Sequence, residues 1–379
     1  MNHPTTLSFW ERESFFKNID VAIIGSGIVG LSAALSLRAR APKLSIAVIE
    51  RGALPEGAST RNAGFACFGS VTELLDDLKN MTENAVFTLV EQRFKGLERL
   101  RKRVGDKNLR YEAFGGYEIF KNTEGSVFKE CSDILPYFNK HLAAITGKKA
   151  TYQVSTSDFG FQKTLPHMIH NTAEGQLNTG EMMRTLLTLA RKNGINIFNG
   201  LKIDTLSENT EGVTLWTSEG WAFQAKHVIV ATNGFARQLM PDLPVEAVRN
   251  QVLVTKPIAN LKLKGSFHYD KGYIYFRNIG NRLLIGGGRN RDFETETTTE
   301  FGVTDNIQNA LNMLLKTTIL PQQMIEIDSM WSGILGVGSV KKPIIERLSR
   351  HIIVAVRMGG MGVAIGSLVG EEAANLIDL

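Results

Sequence analysis

The sequence predicts an α/β fold, in which a discontinuous Rossmann-like domain is joined to a second, α+β domain built on an antiparallel sheet. Three observations support this prediction. A complete strand-helix-strand pattern with three spaced glycines covers residues 21–50, and strand-glycine patterns return at 226–234 and 352–363. Between them, residues 251–288 contain short alternating strands typical of an antiparallel sheet. Segments that return to one sheet after an insertion indicate a discontinuous first domain.

The first βαβ unit has the pattern of a dinucleotide site. Gly25, Gly27 and Gly30 follow the apolar residues 21–24 in GxGxxG spacing, and an Ala/Leu-rich helix is expected after them. The first glycine allows a tight turn, the second lets backbone amides approach a pyrophosphate, and the third allows close helix packing. Glu50 ends the second strand, where a carboxylate can accept ribose hydroxyls. The pattern does not choose between FAD and NAD, and an ordinary βα turn is the alternative interpretation.

A segment rich in small residues follows Glu50. Residues 57–64 read Gly-Ala-Ser-Thr-Arg-Asn-Ala-Gly. Small side chains before a helical stretch indicate backbone held close to a flat ligand, although a plain surface loop has similar composition.

The middle of the chain alternates helices and strands. A helix is expected at 181–192, because it has an acidic first turn and a basic last turn. The other elements expected are helices at 86–100, 126–143 and 304–315, and strands at 116–120, 195–198, 213–216, 222–224, 226–230, 252–255, 273–277, 282–286 and 352–356. We therefore assign residues 1–90, 151–240 and 330–379 to the dinucleotide domain, and 91–150 and 241–329 to the substrate domain.

Composition narrows the class of protein. The 379 residues are 43% hydrophobic and 21% charged, as in an ordinary globular protein. The two cysteines, Cys67 and Cys131, and the seven histidines show no metal spacing, and no metal site is expected. The net charge of +5 is dispersed, so no nucleic-acid partner is expected. Charged residues interrupt both the N-terminus and the apolar stretch 352–369, which favours a cytoplasmic protein without a transmembrane segment.

These motifs together resemble the D-amino-acid oxidase-like flavoproteins, in particular the γ-glutamylputrescine oxidase and glycine oxidase branch. The resemblance covers nearly the whole chain. It rests on the βαβ unit, residues 57–64, Gly175 with the helix after it, and the segments 231–234, 281–287, 331–333 and 360–363. A second GxGxxG in a βαβ frame does not occur, which agrees with one dinucleotide that takes electrons directly from substrate.

The resemblance implies non-covalent FAD and an amine or amino-acid substrate. A hydride would pass from the carbon bearing nitrogen to flavin N5, and the imine formed would be hydrolysed. The cofactor residues expected, partly from the motifs and partly from the resemblance, are Gly25, Gly27, Ile28, Gly30, Glu50, Arg51, Thr60, Arg61, Asn62, Ala63, Gly64, Ile203, Thr232, Gly234, Gly360, Met361, Gly362 and Val363.

Some positions depart from the family pattern. Ile334 stands where glycine and D-amino-acid oxidases carry an arginine for the substrate carboxylate. Sarcosine oxidases carry a lysine linked to oxygen reactivity near the position of Leu284, and a cysteine that links the flavin near the position of Ser332. This sequence has neither. Phe65 and Met361 replace a glutamine and a histidine beside the flavin. The resemblance therefore leaves the substrate and the electron acceptor open.

We predict substrate contacts in the β-rich segment. Tyr273, Tyr275 and Arg277 alternate along one strand and share a face, and Trp331 is expected to form a wall beside them. They would form an aromatic surface that recognises an anion. The alternative is a core role for the tyrosines and an ion pair for Arg277, while Arg249 and His268 are weaker candidates.

Two other functions stay open at this point. One is a flavin-dependent 2-hydroxy-acid or polyol dehydrogenase, since a fold does not fix a substrate. The other is a flavin-binding partner subunit without turnover. The oligomeric state does not follow from the sequence.

Overall fold

The computed structural model describes residues 7–378. Its strands are β1 Ile19–Ile24, β2 Ile46–Glu50, β3 Phe65–Ala66, β4 Gly116–Lys121, β5 Tyr152–Ser155, β6 Thr164–Asn171, β7 Gly175–Gln176, β8 Asn196–Asn199, β9 Ile203–Glu208, β10 Val213–Thr217, β11 Ala222–Val230, β12 Glu246–Thr255, β13 Ser266–Tyr269, β14 Ile274–Ile279, β15 Arg282–Gly287, β16 Ile327–Val337, β17 Ile344–Arg347 and β18 Ile352–Val356.

Its α-helices are α1 Phe9–Phe15, α2 Ile28–Arg40, α3 Ala58–Arg61, α4 Val71–Asn80, α5 Glu83–Val104, α6 Asp106–Leu109, α7 Gly125–Thr146, α8 Thr179–Lys192, α9 Phe293–Glu296, α10 Asp305–Leu314 and α11 Gly362–Asn375. Short 3₁₀-helices cover Asn233–Gln238 and Arg289–Arg291, and a π-helical turn, Leu315–Ile319, extends α10.

The first sheet has the strand order β17-β18-β11-β1-β2-β8. β1 pairs in parallel with β2 and β11, and β11 pairs in parallel with β18. These central strands are buried almost throughout, because α2, α5, α8 and α11 cover one face and a second apolar cluster covers the other. The carboxyl ends of β1, β2, β11 and β18 therefore meet at one edge, where ligands of such sheets bind.

The second sheet has the order β16-β12-β15-β14-β13-β4-β6-β5 and is antiparallel except between β13 and β4. One face packs on α10 through an apolar cluster around Phe267 and Phe276. The other face packs on the 57–66 loop through a smaller cluster that includes Ala63, Val252 and Leu284. The loop that follows the first βαβ unit thus lies between the two sheets.

The structure confirms the α/β class and the discontinuous parallel sheet, with some differences in detail. Residues 222–224 and 226–230 form one strand, β11, because Ala225 between them is buried and pairs with Ile19 of β1 and Val213 of β10. Three strands that the predicted ranges assign to the dinucleotide domain pair in the second sheet instead. They are β5 and β6, within 151–240, and β16, most of which lies within 330–379. Periodicity identifies a strand but not its neighbour, so the domain boundaries stay a prediction.

Among the described residues, no helix combines the length and apolar character that crossing a membrane requires.

Candidate active site

A long groove runs along the carboxyl edge of the first sheet. It encloses about 1150 Å³ of empty space, including the part open to solvent. Its walls come from the βα turn after β1, the end of β2, the 57–62 loop, residues 231–239 and the start of α11. Of the predicted cofactor residues, those that line it are Gly25, Gly27, Ile28, Glu50, Arg51, Asn62, Ile203, Thr232, Gly360, Gly362 and Val363.

Glu50 is held rigidly at the end of β2. Its Oε2 accepts hydrogen bonds from the Ser26 hydroxyl at 2.7 Å and the Ser26 amide at 3.2 Å. Its Oε1 accepts from the Gly52 amide at 3.0 Å, and the residue is only 6% exposed. Each carboxylate oxygen has more than one lone pair, so Glu50 can still accept hydrogen bonds from ribose hydroxyls in the groove.

The glycines of the first turn are required by close contacts. A Cβ on Gly30 would overlap the carbonyl oxygen of Gly25, so this glycine serves packing and does not line the groove. A Cβ on Gly27 would lie 2.8 Å from the Ser59 hydroxyl, which accepts a hydrogen bond from the Ile28 amide at 3.0 Å. The sequence analysis missed Ser59, although it lies inside the small-residue segment that was singled out.

The groove fits a dinucleotide with an anionic centre. Two long helices, α2 and α11, begin at it, and the positive ends of their dipoles favour negative charge. Thr232 lines the groove, and its buried Oγ1 has no hydrogen-bond partner among residues 7–378. A buried hydroxyl without a partner is costly unless a ligand satisfies it. These observations agree with FAD as the occupant.

The 57–64 loop is shaped by its own side chains. Asn62 donates to the Ser59 carbonyl at 2.8 Å and accepts from the Gly64 amide at 2.9 Å. The Thr60 hydroxyl donates to the Pro55 carbonyl at 2.6 Å, so it stabilises the loop and does not face the groove. The other predicted cofactor residues that stand outside the groove lining are Arg61, Ala63, Gly64, Gly234 and Met361.

Strand register places the candidate substrate residues on one face of the second sheet. Trp331 pairs with Val252, Val252 with Gly286, Gly286 with Tyr275, and Tyr275 with His268. Directly paired residues point to the same side of a sheet, so these side chains form one row facing the loop. The ring of Tyr275 leans over Gly286, where a Cβ would come within 2.8 Å of it. Phe65 meets the rings of Tyr275 and His268 edge-on, both at 5.4 Å.

Arg277 lies two residues along β14 from Tyr275 and points to the same face. It is 5% exposed, and its Nε has no hydrogen-bond partner within the described chain. Its Nη2 would lie 2.9 Å from a Cβ on Gly64, which places the guanidinium against the loop. The Glu112 carboxylate, whose charge raises the pKa of Arg277, accepts a hydrogen bond from the side-chain Nε2 of Gln176 at 2.7 Å. Burial outweighs that charge and lowers the pKa to about 10, so the side chain stays protonated at neutral pH.

Three sequence-based expectations differ from the structure. Tyr273 precedes β14, is 36% exposed, and packs on Phe293 instead of joining the row. Arg249 forms a buried ion pair with Glu296, with both contacts at 3.0 Å, and is structural. Ile334 is buried against Gly234, and the neighbouring Leu335 is the β16 residue that lines the groove. Alternation along a strand cannot show where the strand begins.

Buried acids lie next to this row, because Glu118 pairs with His268 and points to the same face of the sheet. Burial raises the pKa of Glu118 to about 7 and that of Glu174 to about 8, although backbone amides donate to both. Burial lowers the pKa of His268, which lies beside Glu174. Burial also raises the pKa of Cys67 well above its usual value, so this thiol is an inert core residue.

These raised pKa values predict a pH-dependent stability. The folded state binds protons to Glu118 and Glu174 more tightly than the unfolded chain, so their stabilisation is complete below about pH 4.5 and is lost as the pH rises through 7 to 8. The free energy of unfolding should fall by roughly 4 kcal/mol between pH 6 and pH 9, with the larger part from Glu174. Urea titrations at the two pH values measure it. Glu174→Gln should reduce this fall while Glu98→Gln, on the exposed side of α5, should not; an equal fall in all three proteins would contradict the prediction.

The fold and the groove are those of a dinucleotide-binding α/β protein. The family model described as DAO, FAD dependent oxidoreductase, matches residues 20–376. The chain belongs to this family of FAD-dependent enzymes, as the resemblance indicated.

Several known proteins are similar to this chain over most of its length. Gamma-glutamylputrescine oxidoreductase of Escherichia coli is 25% identical, over 94% of this chain and 83% of its own. The probable oxidoreductase OrdL of Haemophilus influenzae is 24% identical over 95% and 83%. Among solved structures, glycine oxidase from Geobacillus kaustophilus has a TM-score of 0.74 at 20% identity, covering 94% of both chains. Iminodiacetate oxidase from Chelativorans has a TM-score of 0.73 at 18% identity, with the same coverage.

Proposed function

We propose that the protein oxidises the C–N bond of an amine or amino acid that carries a carboxylate, giving an imine that water hydrolyses. The single observation that carries this proposal is Arg277, a buried guanidinium on the face of the second sheet that packs against the 57–64 loop. The names of the similar proteins, which include glycine, iminodiacetate and γ-glutamylputrescine, support a substrate with a C–N bond.

Arg277 is the group that would hold the substrate's carboxylate. A buried charge without a partner is costly, and its Nε lacks one among residues 7–378. A carboxylate offers two oxygens in the geometry of the guanidinium fork and would offset that cost. Because neither Ile334 nor Leu335 is a cation, Arg277 takes the place of the arginine that β16 lacks.

The aromatic row would hold the apolar part of the substrate and exclude water. Phe65, Tyr275 and Trp331 lie beside the buried aliphatic residues Val252 and Leu284. Burial raises the pKa of Tyr275 to about 12, so its hydroxyl remains a neutral donor. An apolar wall disfavours a charged ammonium and favours the neutral amine, the form whose carbon can lose a hydride.

Bound FAD supplies the redox chemistry by accepting a hydride from the substrate carbon. The protein's residues orient the two partners. Glu50, Ser59 and Thr232 would hold the adenosine and pyrophosphate parts, and the positive end of α11, which begins at the groove, would stabilise negative charge on the reduced cofactor.

A substrate panel tests the proposal. Under anaerobic conditions we expect the yellow flavin absorbance to bleach with N-alkyl or free amino acids. Matched amines without the carboxylate should bleach it at least about 100-fold more slowly, since a charged hydrogen-bonded pair is lost. Bleaching by 2-hydroxy acids but not by their amino counterparts would favour the hydroxy-acid dehydrogenase, and no bleaching by any compound would favour the partner subunit.

A further inference from the structure

A segment from the second sheet's side crosses to the dinucleotide groove. It joins α9 to α10 and spans residues 297–304, and its two ends are fastened to buried groups. Glu296, just before it, pairs with Arg249. At its other end, the Thr304 amide donates to Gln251 at 2.9 Å, and the Gly302 amide donates to the Ser332 hydroxyl at 2.9 Å. Residues 297–301 are thus held between fixed points.

Phe301, near the centre of this segment, contacts residues of α3 and of the Asn233–Gln238 turn, two elements that each contribute to the groove lining. The guanidinium of Arg61 lies 4.2 Å from the centre of its ring. The ring of Phe235 lies 6.1 Å away, centre to centre. Arg61 ends α3, whose first residues line the groove although Arg61 itself does not, and Phe235 lines the groove from the 231–239 segment. Arg51 covers the same Phe235 ring at 3.8 Å.

We infer that Phe301 is a positioning residue that holds the two walls of the groove together and thereby slows the release of FAD. The walls come from segments about 170 residues apart in the chain, α3 and Asn233–Gln238. The ring binds one wall by a cation–π contact and the other by aromatic packing. The segment that carries Phe301 is hydrogen-bonded to β12 and β16 of the second sheet. Retention of the cofactor in the groove of the first sheet would therefore depend on contacts with the second sheet.

The contacts of Arg61 explain why its position matters. Its Nη1 donates to the Ser332 carbonyl at 3.2 Å, and its own carbonyl accepts from the Trp331 indole at 2.9 Å. A Cβ on Gly333 would lie 3.3 Å from its Cβ. β16 therefore supports Arg61 from one side and Phe301 covers its guanidinium from another. Without the ring, α3 loses its connection to Phe235.

The test measures FAD binding and not turnover, so it is independent of the proposed substrate. Apoprotein is titrated with FAD, flavin fluorescence gives the dissociation constant, and dilution gives the release rate. We expect Phe301→Ala to weaken binding roughly tenfold, mainly through faster release, as expected for loss of a cation–π contact together with aromatic packing. Phe301→Tyr, which keeps the ring, should bind within about twofold of the wild type.

Phe293→Ala is the matched control, because this aromatic residue of α9 also packs on an arginine but is 49% exposed and contacts Tyr273 rather than the groove walls. Its FAD affinity should equal that of the wild type. Circular dichroism of each apoprotein checks the fold, and Phe301→Leu provides a second variant without the ring that should also release FAD faster. Unchanged release from both Phe301→Ala and Phe301→Leu, or equal weakening by Phe293→Ala, would overturn the inference.

Discussion

Gly27→Asp should be purified as a colourless protein that takes up no FAD. A side chain at this position meets the Ser59 hydroxyl at 2.8 Å from its first atom, so it displaces the contact that shapes the turn. Its carboxylate would also stand at the start of α2, where the pyrophosphate is expected to bind, and would repel it. The repulsion between two negative charges and the volume of the new side chain together predict an affinity for FAD at least about 1000-fold lower than that of the wild type.

Two further variants separate these causes. Gly27→Ala adds only the Cβ, which the flexible Ser59 side chain can avoid, so it should bind FAD with an intermediate affinity. Gly125→Asp adds the same charge at the first residue of α7, where there is open space, and should remain yellow. A yellow Gly27→Asp protein would show that the cofactor does not bind at this turn.

Arg277→Ala should separate carboxylate substrates from simple amines. We expect flavin reduction by the best amino acid to slow by about 100- to 1000-fold at low substrate, since a buried charged partner is removed. Reduction by the matched amine should change little, because that compound makes no use of the guanidinium. Rapid-mixing absorbance under anaerobic conditions measures both rates. Equal effects on both substrates would contradict the assignment of Arg277 as the carboxylate site.

Stability distinguishes a ligand-binding arginine from a structural one. Arg277→Ala removes a buried charge whose Nε is unpaired within residues 7–378, so the melting temperature of the ligand-free protein should stay the same or rise. Arg249→Ala is the matched contrast, because it leaves Glu296 buried without its partner and should destabilise by about 3 to 5 kcal/mol. Thermal unfolding of the two variants gives this comparison.

The parts of the fold that could be predicted are those fixed by local sequence. Gly25 and Gly30 indicate the first turn because only residues without a side chain fit there. Glu50 follows at the end of the next strand. The small residues at 57–64 likewise indicated the loop that forms a wall of the groove. Such features need only the chain's own neighbours, and the structure agrees with them.

The parts that could not be predicted depend on contacts between distant segments. Phe301 and Arg61 are 240 residues apart in the chain, and neither has a pattern that indicates the other. The choice between Ile334 and Leu335 depends on the register of β16, which a shift of one residue reverses. Alternation places Tyr273 in the row, but β14 begins one residue later, and alternation alone does not show where a strand begins.

A single-turnover experiment tests the central claim most directly. FAD-loaded protein is mixed without oxygen with its best carboxylate-bearing amine, and the products are counted after the flavin has bleached. We predict one equivalent of the carbonyl compound and one of the released amine or ammonia per flavin, because one C–N bond is oxidised and the imine is hydrolysed. Bleaching without released amine or ammonia, or release of amine or ammonia while the flavin stays oxidised, would contradict it.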